Sequence, residues 1–411
     1  MNRVLKKVIG DVENTRGLFL LLIIGGLYAL SIALSNTFVN VFLWKQSGKF
    51  IDIALYNLSS VVLQPITFII AGKWAKQVDR VIVLRLGVSF LALFFLTVLL
   101  LGERANEFIV LLGCLLGIGY GFYWLAFNVL TFEITEPDSR DFFNGFLGLL
   151  TSFSGMIGPI FSGFVISSLE KFTGYKIIFS LSLLLFFIAV LLSFFLYRRS
   201  AKGNYSFKRI LSERKNNINW KRILNAHFFQ GFREGTFVFV IVVWVFITTN
   251  SELALGTFGL VQSAVSFVSY YVVTRLIKAR FRKKAILAGG VLLYAAIYII
   301  LFKLTYPGLL IYAAVISIAY PLLTVPYVSL TYDVIGRAWK AAEMRIEYIV
   351  VRELFVNLGR VVSILLFIAT ISLFDEESIR YLMMVLGAGH LILYFFVRKI
   401  SFKPSEATNT S

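Results

Sequence analysis

SLSLLLFFIAVLLSFFL, the run from Ser180 to Leu196, contains neither a charge nor a proline. Coiled as helix, a run of this length with its flanks crosses about 30 Å of hydrocarbon. LGVSFLALFFLTVLLL, from Leu86 to Leu101, repeats the pattern. Of the 411 residues, 58% are hydrophobic and 15% charged, with a mean hydropathy of +0.82. A soluble domain carries roughly 25% charged residues, so water is the wrong solvent for most of this chain. The fold class is an all-α integral membrane protein.

Working outward, apolar runs place spans near Leu18–Val41, Ile51–Ala71, Val81–Leu101, Phe108–Leu130, Phe142–Ser168 and Ile177–Tyr197. Six more follow near Ile223–Ile247, Leu253–Ile277, Ala285–Leu304, Gly308–Leu330, Ile346–Phe374 and Ile379–Val397. The basic head from Met1 to Arg16 runs into a first span too long for a cleaved signal, which is expected to stay as an anchor.

The net charge of +18 would point to nucleic acid in a soluble protein. Here its distribution says otherwise. The tails and the connections after even-numbered spans hold 28 Lys and Arg, those after odd-numbered spans seven. Basic residues collect in cytoplasmic loops, so both termini are expected in the cytoplasm and no nucleic-acid partner is expected. The lipid bilayer is the expected partner, with a small-molecule substrate and protons, around a monomer. Short external loops favour a cell membrane of the bacterial inner-membrane kind.

Cys114 is the single cysteine, and His227 and His390 lie far apart, so neither a disulfide nor a metal site is expected. No nucleophile elbow, phosphate-binding loop or His-Glu-x-x-His pattern occurs. No cofactor is expected and the chain is not read as an enzyme.

The longest connection, 198–222, is basic and divides the chain into six-helix halves at 1–197 and 223–397, with a tail at 398–411. Local motifs repeat across the halves. Phe132-Glu133-Ile134 closes span four and Arg140 opens span five; Tyr332-Asp333-Val334 closes span ten and Arg345 opens span eleven. The stretch Gly72-Lys73-Trp74-Ala75-Lys76-Gln77-Val78-Asp79-Arg80 joins spans two and three. On these residues the whole chain resembles the major facilitator superfamily, whose loop between spans two and three begins with Gly and ends in basic residues. Lys76 stands where that family usually has an acid, and no arginine lies within span four. The Glu133…Arg140 pair, with Pro137 between, resembles the family's loop between spans four and five. Ser154 to Gly163, around Gly158-Pro159, is similar to the Gly-Pro motif of the family's efflux antiporters. The resemblance implies two six-helix pseudo-repeats and alternating access, with a substrate site near the midplane.

Ionisable residues inside spans are costly and usually face the bundle interior. Span seven carries Gln230, Arg233 and Glu234; span eleven carries Arg352, Glu353, Asn357 and Arg360. At 100° per residue the span-eleven set, with Arg345, forms one polar stripe, while Glu347 points the opposite way. Arg233 with Glu353 and Arg352 with Glu234 are the expected ion pairs, and either glutamate is a candidate proton carrier. The amino-terminal half offers Asn36 and Asn40 one turn apart, Asn57 and Gln64 on one face, and Tyr120, Trp124 and Asn128. Tyr327 and Tyr320 flank the Pro321…Pro326 segment of span ten, where a bend is expected. These residues point to secondary active transport of a small solute, proton-coupled and leaning to efflux. A lipid or lipid-linked sugar flippase and a sugar or organic-anion uptake symporter remain open as alternatives.

Overall fold

A computed structural model describes residues 15–134, 137–170, 172–198, 203–302 and 304–402, and among these no strand occurs. The spans are Thr15–Ser47 (one), Phe50–Gln77 (two), Arg80–Leu101 (three), Ile109–Ile134 (four), Pro137–Ser168 (five) and Thr173–Ser193 (six). The second half has Ile218–Thr249 (seven), Glu252–Leu276 (eight), Arg282–Leu301 (nine), Tyr306–Gly336 (ten) and Arg345–Leu373 (eleven). Span twelve comes in two pieces, Ser378–Gly387 and Gly389–Val397.

Spans one, two, four, five, seven and ten outrun their apolar runs by several residues. Backbone groups in hydrocarbon must be satisfied within the helix, and the helix then continues into the headgroup layer. Span seven starts at Ile218, so the end of the connection expected at 198–222 is already helix. Spans six and nine are instead shifted toward their starts, ending at Ser193 and Leu301 before the expected Tyr197 and Leu304. Spans three and four form one helical stretch of 52 residues, Arg80–Thr131. As a straight rod it would be about 78 Å long, far beyond about 30 Å of hydrocarbon. It folds back instead at Gly102, whose φ of 53° is in the left-handed region, followed by the 3-10 turn Gly102–Phe108. Gly87 of span three then lies against Tyr123 of span four, which makes the pair antiparallel and the count among the described residues twelve. The bend expected at Pro321 and Pro326 does not break span ten, which is one helix through both prolines.

Lipid tails are as apolar as leucine, so helices associate in a membrane through close packing and polar contacts. Gly113, Gly117 and Gly121, four apart on span four, sit against Tyr56, Ser60 and Thr67 of span two. Spans seven and eleven approach by the same device from both sides. A side chain on Gly231 would strike the Val356 carbonyl, one on Gly359 the Phe228 carbonyl, and one on Gly235 the backbone of Arg360.

The halves meet through spans two and eleven and spans five and eight. Pro159 packs on Gly256 and Gly259, and Gly158 on Ala33. Two ion pairs between the halves sit near opposite ends of the bundle. At the end bearing the 198–222 connection, Lys76 of span two pairs with Glu347 of span eleven, which is fully buried. Lys76 also donates to the Glu343 carbonyl at 2.9 Å, while Gly203 N–H donates to the Lys76 carbonyl and Ser206 N–H to Glu347 Oε1. Burial and the Glu347 carboxylate raise the Tyr205 phenol above its usual range. At the opposite end, Lys45 of span one contacts Glu252, the first residue of span eight, at 2.7 Å. The Tyr175 hydroxyl donates to the same carboxylate oxygen at 2.9 Å.

Replacing Gly231 with Ala should force spans seven and eleven apart and cost about 1–3 kcal/mol, as overpacking does. The melting temperature in detergent should fall, and Gly148→Ala, where nothing lies within 4 Å, should leave it unchanged. Lys76→Met should leave Glu347 buried without its cation and cost about 3–5 kcal/mol. The double variant Lys76→Met/Glu347→Leu should regain most of that loss, and thermal unfolding of the set checks the cycle.

Candidate functional site

A cavity of about 800 Å³ opens between the halves, at the middle of the spans that line it. Its two walls are chemically unlike. The amino-terminal wall carries Asn36, Asn40, Asn57, Ser60, Gln64, Tyr120, Trp124 and Asn128. Part of this set is preorganised: Tyr120 hydroxyl donates to Asn36 Oδ1 at 3.1 Å, and Asn57 Nδ2 to Asn40 Oδ1 at 2.9 Å. Trp124 is 38% exposed and held edge-on to Tyr28, which stacks on Tyr123.

The carboxyl-terminal wall carries the charges. Glu234 Oε2 receives Arg360 Nη2 at 2.8 Å, and Glu234 Oε1 accepts from Gln230 and from the Tyr320 hydroxyl, each at 3.0 Å. Arg352 pairs with its neighbour Glu353. Arg233 is 6% exposed, lies 4.5 Å from the Phe237 ring, and its Nε and Nη2 have no hydrogen-bond partner among the described residues. His390 stands behind, with its ring 6.0 Å from Tyr320 and both nitrogens unpartnered.

The expected pairs Arg233–Glu353 and Arg352–Glu234 therefore do not form. Gly235 seats span seven against the backbone of Arg360, which brings Glu234 to that arginine. Arg352 lies eight residues, about 12 Å of helix, nearer the other end, where Glu353 is at hand. Asn357 is fully buried rather than in the cavity; it donates to the Glu353 carbonyl and its Oδ1 accepts from Arg360 at 3.4 Å, steadying that side chain. Gln230 bridges His227 and Glu234 from behind. Tyr327 does not line the cavity. It shares a face with Tyr320 but lies about 10 Å along the helix, with its ring against His227 at 4.8 Å.

Tyr312, Ser317, Gln262 and Ser266 also line the cavity and escaped the sequence reading. The one-turn spacing of Gln262 and Ser266 is the same signal that singled out Asn36 and Asn40.

Apart from Gly158-Pro159, which pack toward the opposite end, the motif residues lie at the end bearing the connection. Asp79 caps span three, accepting from Val81 N–H at 2.7 Å. Arg80 contacts Glu133 at 2.7 Å, and Arg282 contacts Asp333 at 2.7 Å. Each pair joins the start of one helix to the end of the next, at matching places in the two halves. Gly72 packs against Tyr205 and Val350, and Arg345 opens span eleven. The side chain of Arg140 lies outside the described residues.

Comparison with known proteins agrees with this architecture. The sequence model of the Major Facilitator Superfamily matches residues 21–342. The chain is 64% identical over 406 residues to the uncharacterized protein YqgE of Bacillus subtilis (strain 168), covering 98% of this chain and 94% of that one. It is 64% identical over 174 residues to an uncharacterized protein in the sodM 3' region of Geobacillus stearothermophilus, covering 42% of this chain and 81% of that one. In fold it is similar to the crystal structure of the human organic anion transporter MFSD10, with a TM-score of 0.68 at 14% identity, over 94% of this chain and 100% of that one. The family match spans well over half of the residues, and the chain belongs to the major facilitator superfamily of membrane transporters.

Proposed function

We propose that the protein exports a small organic solute in exchange for protons by alternating access through the central cavity. The observation that carries this reading is a cavity shared by both halves, with a separate inter-half ion pair beyond each of its ends. Opening one end then breaks the pair there while the other pair keeps the halves in register. The halves, 1–197 and 223–397, rock as bodies about the site, joined by the 198–222 connection. Basic connections at the linker end favour the cytoplasm for both termini and for Lys76–Glu347, with Lys45–Glu252 outside and the chain in a bacterial cell membrane.

The cavity lies within the roughly 300–1,000 Å³ that suits drug-sized solutes. Coupling is assigned to Glu234. Its carboxylate faces Arg360, Gln230 and Tyr320, with His390 behind. The Glu234 carboxylate accepts either a solute's donor groups or a proton, not both, so the two load in turn as exchange requires. Glu353, paired with Arg352, is the second carrier. The Gly158-Pro159 seam against Gly256 and Gly259 supports the export direction through its likeness to the efflux motif.

Proteoliposomes should accumulate a solute from a chemically diverse radiolabelled panel when a pH gradient is imposed. Glu234→Gln should still exchange that solute but lose gradient-driven accumulation. Accumulation that persists in both Glu234→Gln and Glu353→Gln would exclude these carboxylates as carriers. Lys45→Glu should repel Glu252 and open that end. On a Cys114→Ser background, an Asn40→Cys probe should then react several-fold faster with an impermeant maleimide added outside. Adding Glu252→Lys should restore the slow rate; an unchanged rate in Lys45→Glu would remove the outer latch.

A further inference from the structure

We infer that the solute is an organic monoanion with a hydroxylated body, and that Arg233 receives its carboxylate. This deepens the transporter reading and takes from it only that the cavity's occupant is carried. Three arginines and two glutamates line the cavity. Arg352 holds Glu353 and Arg360 holds Glu234, which leaves Arg233 without an ion pair among the described residues. The site thus holds one positive charge more than it balances.

Arg233 is built in rather than left over. It lies halfway along span seven, its guanidinium rests on Phe237, and Tyr312 stands beside it. The span-twelve backbone at Gly389 closes the space behind its Cβ. The two nitrogens without partners, Nε and Nη2, form one edge of the guanidinium. That edge, closed to water in this conformation, carries two parallel N–H groups, the fork that matches a carboxylate bidentately once the side chain turns toward the cavity. A cation kept this far from water is stable only with a counter-charge, and within the cavity the solute is what can bring one.

The opposite wall says what the rest of the solute is. Gln64 and Asn128 there, and Gln262 of span eight on Arg233's own half, line the cavity, and their side chains make no hydrogen bond among the described residues. Free amides donate and accept, as hydroxyl groups do, and the exposed face of Trp124 suits a ring. A simple aliphatic acid would fill the arginine and leave these amides unmet.

Thermal unfolding in detergent with glucuronate, glucose and glucosamine tests the inference with hexoses that differ in charge. Glucuronate should raise the melting temperature in a concentration-dependent manner, and glucose and glucosamine should not. Arg233→Lys keeps the charge but loses the fork, and should raise the half-effective glucuronate concentration roughly ten- to a hundredfold, as loss of one charge-assisted hydrogen bond does. Arg233→Gln should abolish the shift. Without ligand it should melt at or above the wild type, because an uncompensated buried charge is gone.

The inference is overturned if glucuronate gives no shift, or if glucose or glucosamine shifts the protein equally. Survival of the glucuronate shift in Arg233→Gln overturns it too, as does a ligand-free Arg233→Gln that melts well below the wild type. Failure of the transporter reading looks different. Arg233-dependent glucuronate binding without movement of labelled glucuronate into proteoliposomes keeps the site and rejects transport. Carriage of a neutral or cationic panel solute, with no response to glucuronate, does the reverse.

Discussion

Hydrocarbon solvates neither a bare peptide group nor a charge, and the structure is organised around that double refusal. The first part makes every long described element a helix. The second confines the charges near the middle of spans seven and eleven to the bundle interior. They can share that interior because Gly231, Gly235 and Gly359 let two backbones touch. Bulkier residues there would hold the helices farther apart, and Glu234 would lose Arg360. The glycines thus serve electrostatics as much as packing.

The two halves are alike at one end and unlike at the centre. At the linker end Arg80–Glu133 and Arg282–Asp333 do the same work at equivalent places, each tying a helix start to a helix end. In the cavity the resemblance stops. One wall is amide and aromatic, the other holds ion pairs and a lone guanidinium. All the charged side chains that line the cavity among the described residues belong to the carboxyl-terminal half.

What the sequence made legible was whatever depends on near neighbours. Span number and helical class follow from run length, and the break between spans three and four falls where the apolar run stops at Leu101. The polar stripe of span eleven follows from 100° per residue. The ion pairing did not, because it depends on the longitudinal register of span seven against span eleven, which the glycines set. Tyr327 shows the same limit: its direction around the helix was readable, its depth relative to the cavity was not. Lys76 looked like a departure from a motif, and its partner Glu347, 271 residues away, was seen only as pointing away from the stripe. The departure and the outlier turn out to be one ion pair.

The two inter-half ion pairs share a chemistry, lysine on the amino-terminal half and glutamate on the other, but not a setting. Gly203 and Ser206 strap the connection across Lys76 and Glu347, their N–H groups donating to the Lys76 carbonyl and the Glu347 carboxylate. When that joint opens, its parts stay on a short tether, and a tethered pair meets again at high effective concentration. Lys45 and Glu252 have no such strap among the described residues. On the alternating-access reading proposed above, the strapped pair would reclose faster than the unstrapped one.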